Sequence, residues 1–154
     1  MMQHITIKQI LDVKGYSDVF TVKAALPLSE FVRIACEKKI GALVVIQDTN
    51  EMAGIITERD IMYQCNKKVD FEQVKIGDVM TRNIVTIDIN DDIQSAMDIM
   101  FTKSIRHLPV MDGPKIMGMI TVRDVIRAIR KGDENEMHHF MAYLQNSAEK
   151  VSKS

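Results

Sequence analysis

The sequence predicts an α/β fold built twice in one chain. Three observations carry that prediction. The string Gly54 to Asp60, G-I-I-T-E-R-D, returns 64 residues later as Gly118 to Asp124, G-M-I-T-V-R-D, with five of seven positions identical. Short apolar runs of strand length alternate with segments of helical periodicity. Each copy of the string falls where an apolar run ends and a helical pattern begins. A repeat of this kind constrains the architecture before any single element is assigned.

Taken in order, residues 4–11 form a short helix with Ile7, Ile10 and Leu11 on one face and Thr6 as its cap. Residues 12–19 make a polar connector, in which Tyr16 is either an edge packing residue or a stacking partner for a ligand base. Phe20 to Val22 is a strand. A helix capped near Ser29 turns Phe31, Val32, Ile34 and Ala35 inward and closes on Lys38 and Lys39, cations suited to the negative end of its dipole. Ala42 to Ile46 is apolar throughout, the pattern of a strand buried on both faces. Asp48-Thr49-Asn50 is turn chemistry, Met52 to Ile56 the returning strand, and Glu58 to Asn66 a helix.

After a polar linker from Lys67 to Val74 the series repeats. Ile76 to Met80 matches Ile7 to Leu11, and Ile84 to Ile87 is a strand. Asn90 or Asp91 caps a helix whose Ile93, Ala96, Met97, Met100 and Phe101 fall at i, i+3, i+4, i+7 and i+8. Leu108 to Met111 and Ile116 to Ile120 are strands around an Asp112-Gly113-Pro114 turn, and Val122 to Ile129 is the last repeated helix. Each half thus reads β-α-β-β-α behind a short helix, with motifs over residues 5–66 and 76–131. Halves of about 60 residues are marginal alone, so they are expected to pack sheet to sheet about a pseudo-twofold axis and leave matching clefts. Residues 133–150 form an appended helix with an apolar stripe of Met137, Phe140, Met141 and Leu144. That stripe packs on its own module or on a second subunit; the expectation is a homodimer.

Composition narrows the function. The chain has 154 residues, 46% hydrophobic and 5% aromatic, with a formal net charge of −1. An extended nucleic-acid surface would want a basic excess. No apolar stretch reaches the length of a membrane span, and the first residues hold no apolar leader core, so neither membrane nor nucleic acid is expected as a partner. Cys36 and Cys65 lack metal-ligand spacing and sit on apolar helix faces, as small buried residues of a protein from a reduced cytoplasm would. The twelve Met are read as core filling. Phosphate-loop, dinucleotide, zinc-protease and nucleophile-elbow strings are all missing, the four His have no ligand spacing, and Asp88, Asp91 and Asp92 read as a strand end and helix cap. The expectation is no catalytic residue and no metal.

Thr57 and Thr121 stand where a strand hands over to a helix, the N-cap position. Asp60 and Asp124 follow three residues later and admit two readings. One is a capping box, in which the acid bonds back to the cap. The other is a polyol site, because an ionised carboxylate accepts from a cis-diol while the free N–H groups of the helix start favour a phosphate. Asp is shorter than the Glu or Gln usual in the box, and the T-x-R-D string occurs twice, which favours the site.

With these residues in place, the chain resembles a tandem pair of CBS domains, also called a Bateman module, over roughly residues 5–130. The duplicated G-h-h-T-x-x-D, the run from Gly41 and the string Leu108-Pro109-Val110 carry the likeness. The resemblance implies a cleft between the motifs that takes AMP, ADP, ATP, NAD or S-adenosylmethionine. Asp60 and Asp124 would hold ribose hydroxyls, with Thr57 and Thr121 beside ribose and phosphate. Thr21 and Thr86 would wall the adenine, together with the starts of the second strands. Those starts differ: Gly41-Ala42-Leu43 is small and apolar, whereas Arg106-His107-Leu108, running into Pro109, is basic. Arg106 and His107 are therefore read as phosphate contacts, which makes the Asp124 cleft the expected phosphate site. Arg59 and Arg123 add charge, point to solvent or pair with acids; Arg82 is a weaker candidate. The resulting expectation is a free-standing ligand sensor that signals to a partner protein by conformational shift. The alternatives are a dimeric adaptor with vestigial clefts and an enzyme whose site forms only at a dimer interface.

Overall fold

The repeat is realised as two three-stranded sheets, each with its own helices and its own core, in a computed structural model that describes residues 4–14 and 19–132 and the positions His138, Met141, Ala142, Gln145 and Asn146. The expected appended helix over 133–150 lies outside the described residues apart from those five positions, all helical, and Tyr16 lies outside them as well. The chain divides into two compact units, one spanning Val19–Ile84 and the other joining the N-terminal helix to the chain from Val85 onward.

In the first unit, β1 (Thr21–Lys23) runs parallel to β2 (Ala42–Ile46), which pairs antiparallel with β3 (Met52–Thr57). Helices α2 (Leu28–Lys38), α3 (Glu58–Asn66) and α4 (Ile76–Val79) accompany them. Because β2 lies between two strands and is covered, its Ala42, Leu43, Val44 and Val45 are all buried. The α2 cap is Pro27 and not Ser29: the fixed proline φ suits an extended cap residue, and Ser29 falls inside the first turn.

The second unit repeats the plan with β4 (Ile87–Asp88), β5 (His107–Asp112) and β6 (Lys115–Thr121), accompanied by α5 (Ile93–Lys103) and α6 (Val122–Gly132). Its register matches the first: Val45 pairs with Gly54 as Val110 pairs with Gly118, and each antiparallel ladder is bulged just past that pair. One difference follows from a proline. Val44 donates its N–H to Phe20 O at 3.2 Å, whereas Pro109, at the matching place, has no N–H to give. The parallel ladder is accordingly shorter, and β4 has two residues where β1 has three. Asp92, not Asn90 or Asp91, caps α5, accepting from the Ser95 N–H and hydroxyl, both at 2.9 Å. Asn90 and Asp91 are spent one turn earlier in hydrogen bonds with Asp88.

The short helices join cores distant in sequence. Helix α1 (Ile7–Lys14) buries Ile7, Ile10 and Leu11 among Ile87, Leu108, Ile120 and Val125 of the second sheet and its helices. Helix α4 buries Ile76, with Met80 just beyond it, among Val22, Phe31, Leu43 and Ile56 of the first. Thr6 caps α1 reciprocally with Gln9: the Gln9 N–H donates to the Thr6 hydroxyl at 3.2 Å and the Thr6 N–H to Gln9 Oε1 at 2.9 Å. So secured, the helix continues three residues past Leu11 and takes in part of the expected connector.

The glycine of each repeated string is where the strand meets that helix. A Cβ on Gly118 would lie 3.0 Å from Leu11 Cδ2, and one on Gly54 would lie 2.6 Å from Met80 Sδ. Three apolar expectations fail, one of them the reading of every Met as core filling, since Met62 is 60% exposed. Cys36 and Cys65 are exposed, and Phe101 is 39% exposed. Their positions on an amphipathic helix fall at the margin of the buried stripe, which Ile93, Ala96, Met97 and Met100 fill in α5. No helix among the described residues is long and apolar enough to cross a membrane.

Candidate functional site

Each strand-to-helix corner is a reciprocal capping box, so the structural reading of Thr-x-x-Asp holds in both units. Asp60 Oδ2 accepts from the Thr57 N–H at 2.8 Å and from its hydroxyl at 3.2 Å, and the Thr57 side chain receives the N–H of Asp60 in return. Asp124 Oδ2 accepts from the Thr121 N–H at 2.8 Å and from its hydroxyl at 3.0 Å, and the Asp124 N–H donates back at 3.3 Å. A carboxylate held by its own cap is fixed in place and retains lone pairs for another donor. The box therefore positions the acid that a polyol site would use.

The starts of the second strands sit at the same corners. Ala42 pairs with Thr57 and the Glu58 N–H donates to Gly41 O at 2.9 Å. His107 pairs with Thr121 and the Val122 N–H donates to Arg106 O at 3.1 Å. The sequence-predicted Gly41 and Ala42 thus gather with Thr57 and Asp60, and Arg106 and His107 with Thr121 and Asp124. Leu43, Leu108 and Pro109 are buried in the strands behind them. Thr21, opposite Val44, is exposed at the edge of the sheet; Thr86 precedes the first residue of β4 and is half-buried. Arg59, Arg106 and Arg123 are exposed. Arg82 is committed elsewhere, donating to Gly77 O at 2.8 Å.

Two residues that sequence reasoning passed over distinguish the corners. Glu58 folds its carboxyl over Gly41, 3.2 Å from where a Cβ would stand, so the first corner carries a second acid. The signal was present, since Glu58 against Val122 is one of two differences between the repeated strings. At the second corner Lys14, from the end of α1, places its Nζ 2.8 Å from Asp124 Oδ2 and 2.8 Å from Met119 O. Asp124 is 7% exposed and is the one buried charged side chain among the described residues. A buried carboxylate requires such a partner. Nothing in the string could announce Lys14, which lies 110 residues away in sequence.

Beside this pair, α1 and α6 flank a cleft of about 230 Å³ with apolar walls of Ile5, Ile10, Val13 and Ala128, and Lys14, Arg127 and Lys131 also in its lining. The cleft touches Asp124 and none of the other site residues expected from sequence. Among the described residues no group of three or more His, Cys, Asp or Glu is disposed to hold a metal ion.

A duplicated β-α-β-β-α unit with a Thr-x-x-Asp corner in each copy defines a class. The family model for the CBS domain matches residues 7–66 and again 76–131, and the chain belongs to the CBS domain family as a tandem pair. It is 34% identical over 113 residues to an uncharacterized 17.7 kDa protein of Acidianus ambivalens, covering 72% of this chain and 67% of that one. It is 32% identical to the mitochondrial CBS domain-containing protein CBSX3 of Arabidopsis thaliana, of which it spans 58%. The solved CBS-domain containing protein ATU1752 of Agrobacterium tumefaciens superposes with a TM-score of 0.77 at 31% identity, over 82% of this chain and 95% of that chain. Two more distant structures share the fold. The Pyrobaculum aerophilum protein PAE2072, solved with AMP, has a TM-score of 0.70 at 17% identity over 78% of this chain and 89% of its own. The CBS domain pair of MJ0100, solved with 5′-methylthioadenosine and S-adenosylmethionine, has a TM-score of 0.73 at 22% identity over 84% and 98%.

Proposed function

We propose that this protein is an adenine-nucleotide sensor that binds AMP, ADP, ATP or NAD and reports its occupancy to a partner protein. The observation that carries the reading is the duplicated corner: a carboxylate locked by its own capping threonine at a helix start, beside the first residues of an inner strand. Such a carboxylate accepts from ribose hydroxyls with no reorganisation of its own, and the helix start beside it favours an anionic group. The small surfaces of Gly41 and Ala42, and the basic Arg106 and His107, border the base and phosphate in this reading, with Thr21 and Thr86 along the adenine. The AMP of one distant neighbour and the thionucleosides of another share an adenosine, which supports the same ligand class here.

The protein performs no chemistry on the ligand in this account. Binding favours one pose of the motifs over another, and that difference in affinity between poses is the whole signal. A homodimer would give the signal a second subunit to act on.

A thermal-shift panel of AMP, ADP, ATP, NAD and S-adenosylmethionine tests the reading. A ligand at a hundred times its Kd adds about 2.7 kcal/mol of stability. For a chain of this size that is a rise of about 5–10 °C in Tm. The double variant Asp60→Asn/Asp124→Asn should lose the rise. A panel in which no compound moves the wild-type Tm rejects the sensor and leaves the adaptor.

A further inference from the structure

The two corners hold the same acid in the same cap, but only one of those acids is already taken. Asp124 Oδ2 receives three donors: the Thr121 N–H at 2.8 Å, the Thr121 hydroxyl at 3.0 Å and the Lys14 ammonium at 2.8 Å. Asp60 Oδ2 receives the first two kinds of bond and no cation among the described residues.

The difference has a cause in the fold. At the first corner the chain leaves α4 and pairs its main chain with the strand, Thr81 N–H to Ile55 O at 2.9 Å and Ile55 N–H to Thr81 O at 3.0 Å. Ile55 and Met119 are equivalent, each following the glycine of its string. At the second corner α1 continues as helix to Lys14, and the Met119 carbonyl is satisfied by the Lys14 side chain instead. The same ammonium then spans the gap to Asp124. Lys14 is thus held by two acceptors on two elements, with its side chain 28% exposed.

We infer that Lys14 is a built-in occupant of the Asp124 corner, which excludes a ribose there, so that the Asp60 corner alone takes the ribose in the resting protein. The inference rests on the nucleotide reading above and specifies which of its two sites works. A ribose offers neutral hydroxyls, and these compete poorly for a carboxylate oxygen that already holds a charge-assisted bond in a largely buried setting. This reverses the order that Arg106 and His107 alone suggest. The second corner becomes available only when Lys14 withdraws, so movement of the N-terminal helix is coupled to whether one ribose or two can bind.

Equilibrium dialysis with radiolabelled AMP, on proteins whose fold is checked by circular dichroism, decides the matter. Wild type should bind one equivalent. Asp60→Asn should weaken that binding at least tenfold, and adding Asp124→Asn to it should weaken the binding no further. Lys14→Met, which keeps the aliphatic stem and removes the cation, should bind a second equivalent, and adding Asp124→Asn to it should take that equivalent away. A further fall when Asp124→Asn is added to Asp60→Asn, or a single equivalent for a folded Lys14→Met, overturns the inference while the nucleotide reading survives. Should Lys14→Met fail to fold, the comparison of Asp60→Asn with the double variant Asp60→Asn/Asp124→Asn decides alone. No AMP bound by any of these proteins, Lys14→Met included, overturns the inference, and the thermal-shift panel then decides the nucleotide reading.

Discussion

Adding one methyl group at Gly54 should do more harm than adding the same group at Gly118, though the two glycines are equivalent in the repeat. A Cβ at Gly54 would stand 2.6 Å from Met80 Sδ and 2.7 Å from Thr81 O. The methionine end can swing aside. The carbonyl cannot, because Thr81 is tied to Ile55 by a hydrogen bond in each direction. The three atoms nearest a Cβ at Gly118 all belong to the Leu11 side chain, the first at 3.0 Å, so a shift of a few tenths of an ångström in that side chain accommodates it. Overpacking a tight site costs about 1–3 kcal/mol, and Gly54→Ala belongs at the upper end, about 2–3 kcal/mol. Gly118→Ala should cost about 1 kcal/mol or less. The unfolded-chain entropy that alanine removes, about 0.4–1 kcal/mol, is common to both and cancels in the comparison. Urea unfolding followed by circular dichroism gives the two values. In Gly54→Ala, hydrogen exchange should also show the Thr81 and Ile55 amides losing protection. Equal costs, or a Gly54→Ala within about 0.5 kcal/mol of wild type, the span of a surface change, would refute the packing argument.

Three further outcomes follow from the cores and caps. Deleting residues 1–14 removes Ile7, Ile10 and Leu11 from the second core, so hydrogen exchange should rise in β4 to α6, remote in sequence, and not in β1 to α3. Thr6→Ala removes the acceptor for the Gln9 N–H and should cost about 1 kcal/mol in the same urea experiment, with loss of protection centred on α1. The Ser95 N–H and hydroxyl hold the Asp92 carboxyl below its ordinary range. A folded pKa below the unfolded one stabilises fully above the usual carboxylate value near pH 4, and that stability fades as pH falls through this region towards the lower folded value. Asp92→Asn keeps a neutral cap but lacks that contribution, so it should be less stable than wild type at pH 7, and the gap should close on acidification. Parallel acid limbs for the two proteins would show that the carboxylate charge contributes nothing.

Much of the fold was legible because period and punctuation are local properties. Glu58–Asn66 appears as a helix with the expected bounds, and the duplicated string marks both corners where strand meets helix. The partners of an amphipathic face are not local. The spacing of Ile7, Ile10 and Leu11 shows that α1 has a buried side, but not that Leu108 and Ile120 cover it. Caps were misplaced where several acceptors compete: in N-D-D the last carboxylate reaches Ser95 because the earlier side chains close the preceding turn. Pro109 was visible, but its effect on β4 needed the register, since only an unpaired ladder position reveals a missing N–H. At the site, the two carboxylates and their threonines could be read directly. Lys14 could not, because its role depends on a helix end meeting a strand edge more than a hundred residues away.

Recognition of a ribose diol by a capped carboxylate is measured most directly by comparing AMP with 2′-deoxy-AMP in titration calorimetry on the wild-type protein. A hydrogen bond from a hydroxyl to a charged acceptor is worth about 1.5–3 kcal/mol. The deoxy compound should therefore bind roughly tenfold to a hundredfold more weakly, and in Asp60→Asn the gap between the two compounds should shrink. Equal affinities for AMP and 2′-deoxy-AMP in the wild type would contradict the account, because no carboxylate would then be reading the ribose.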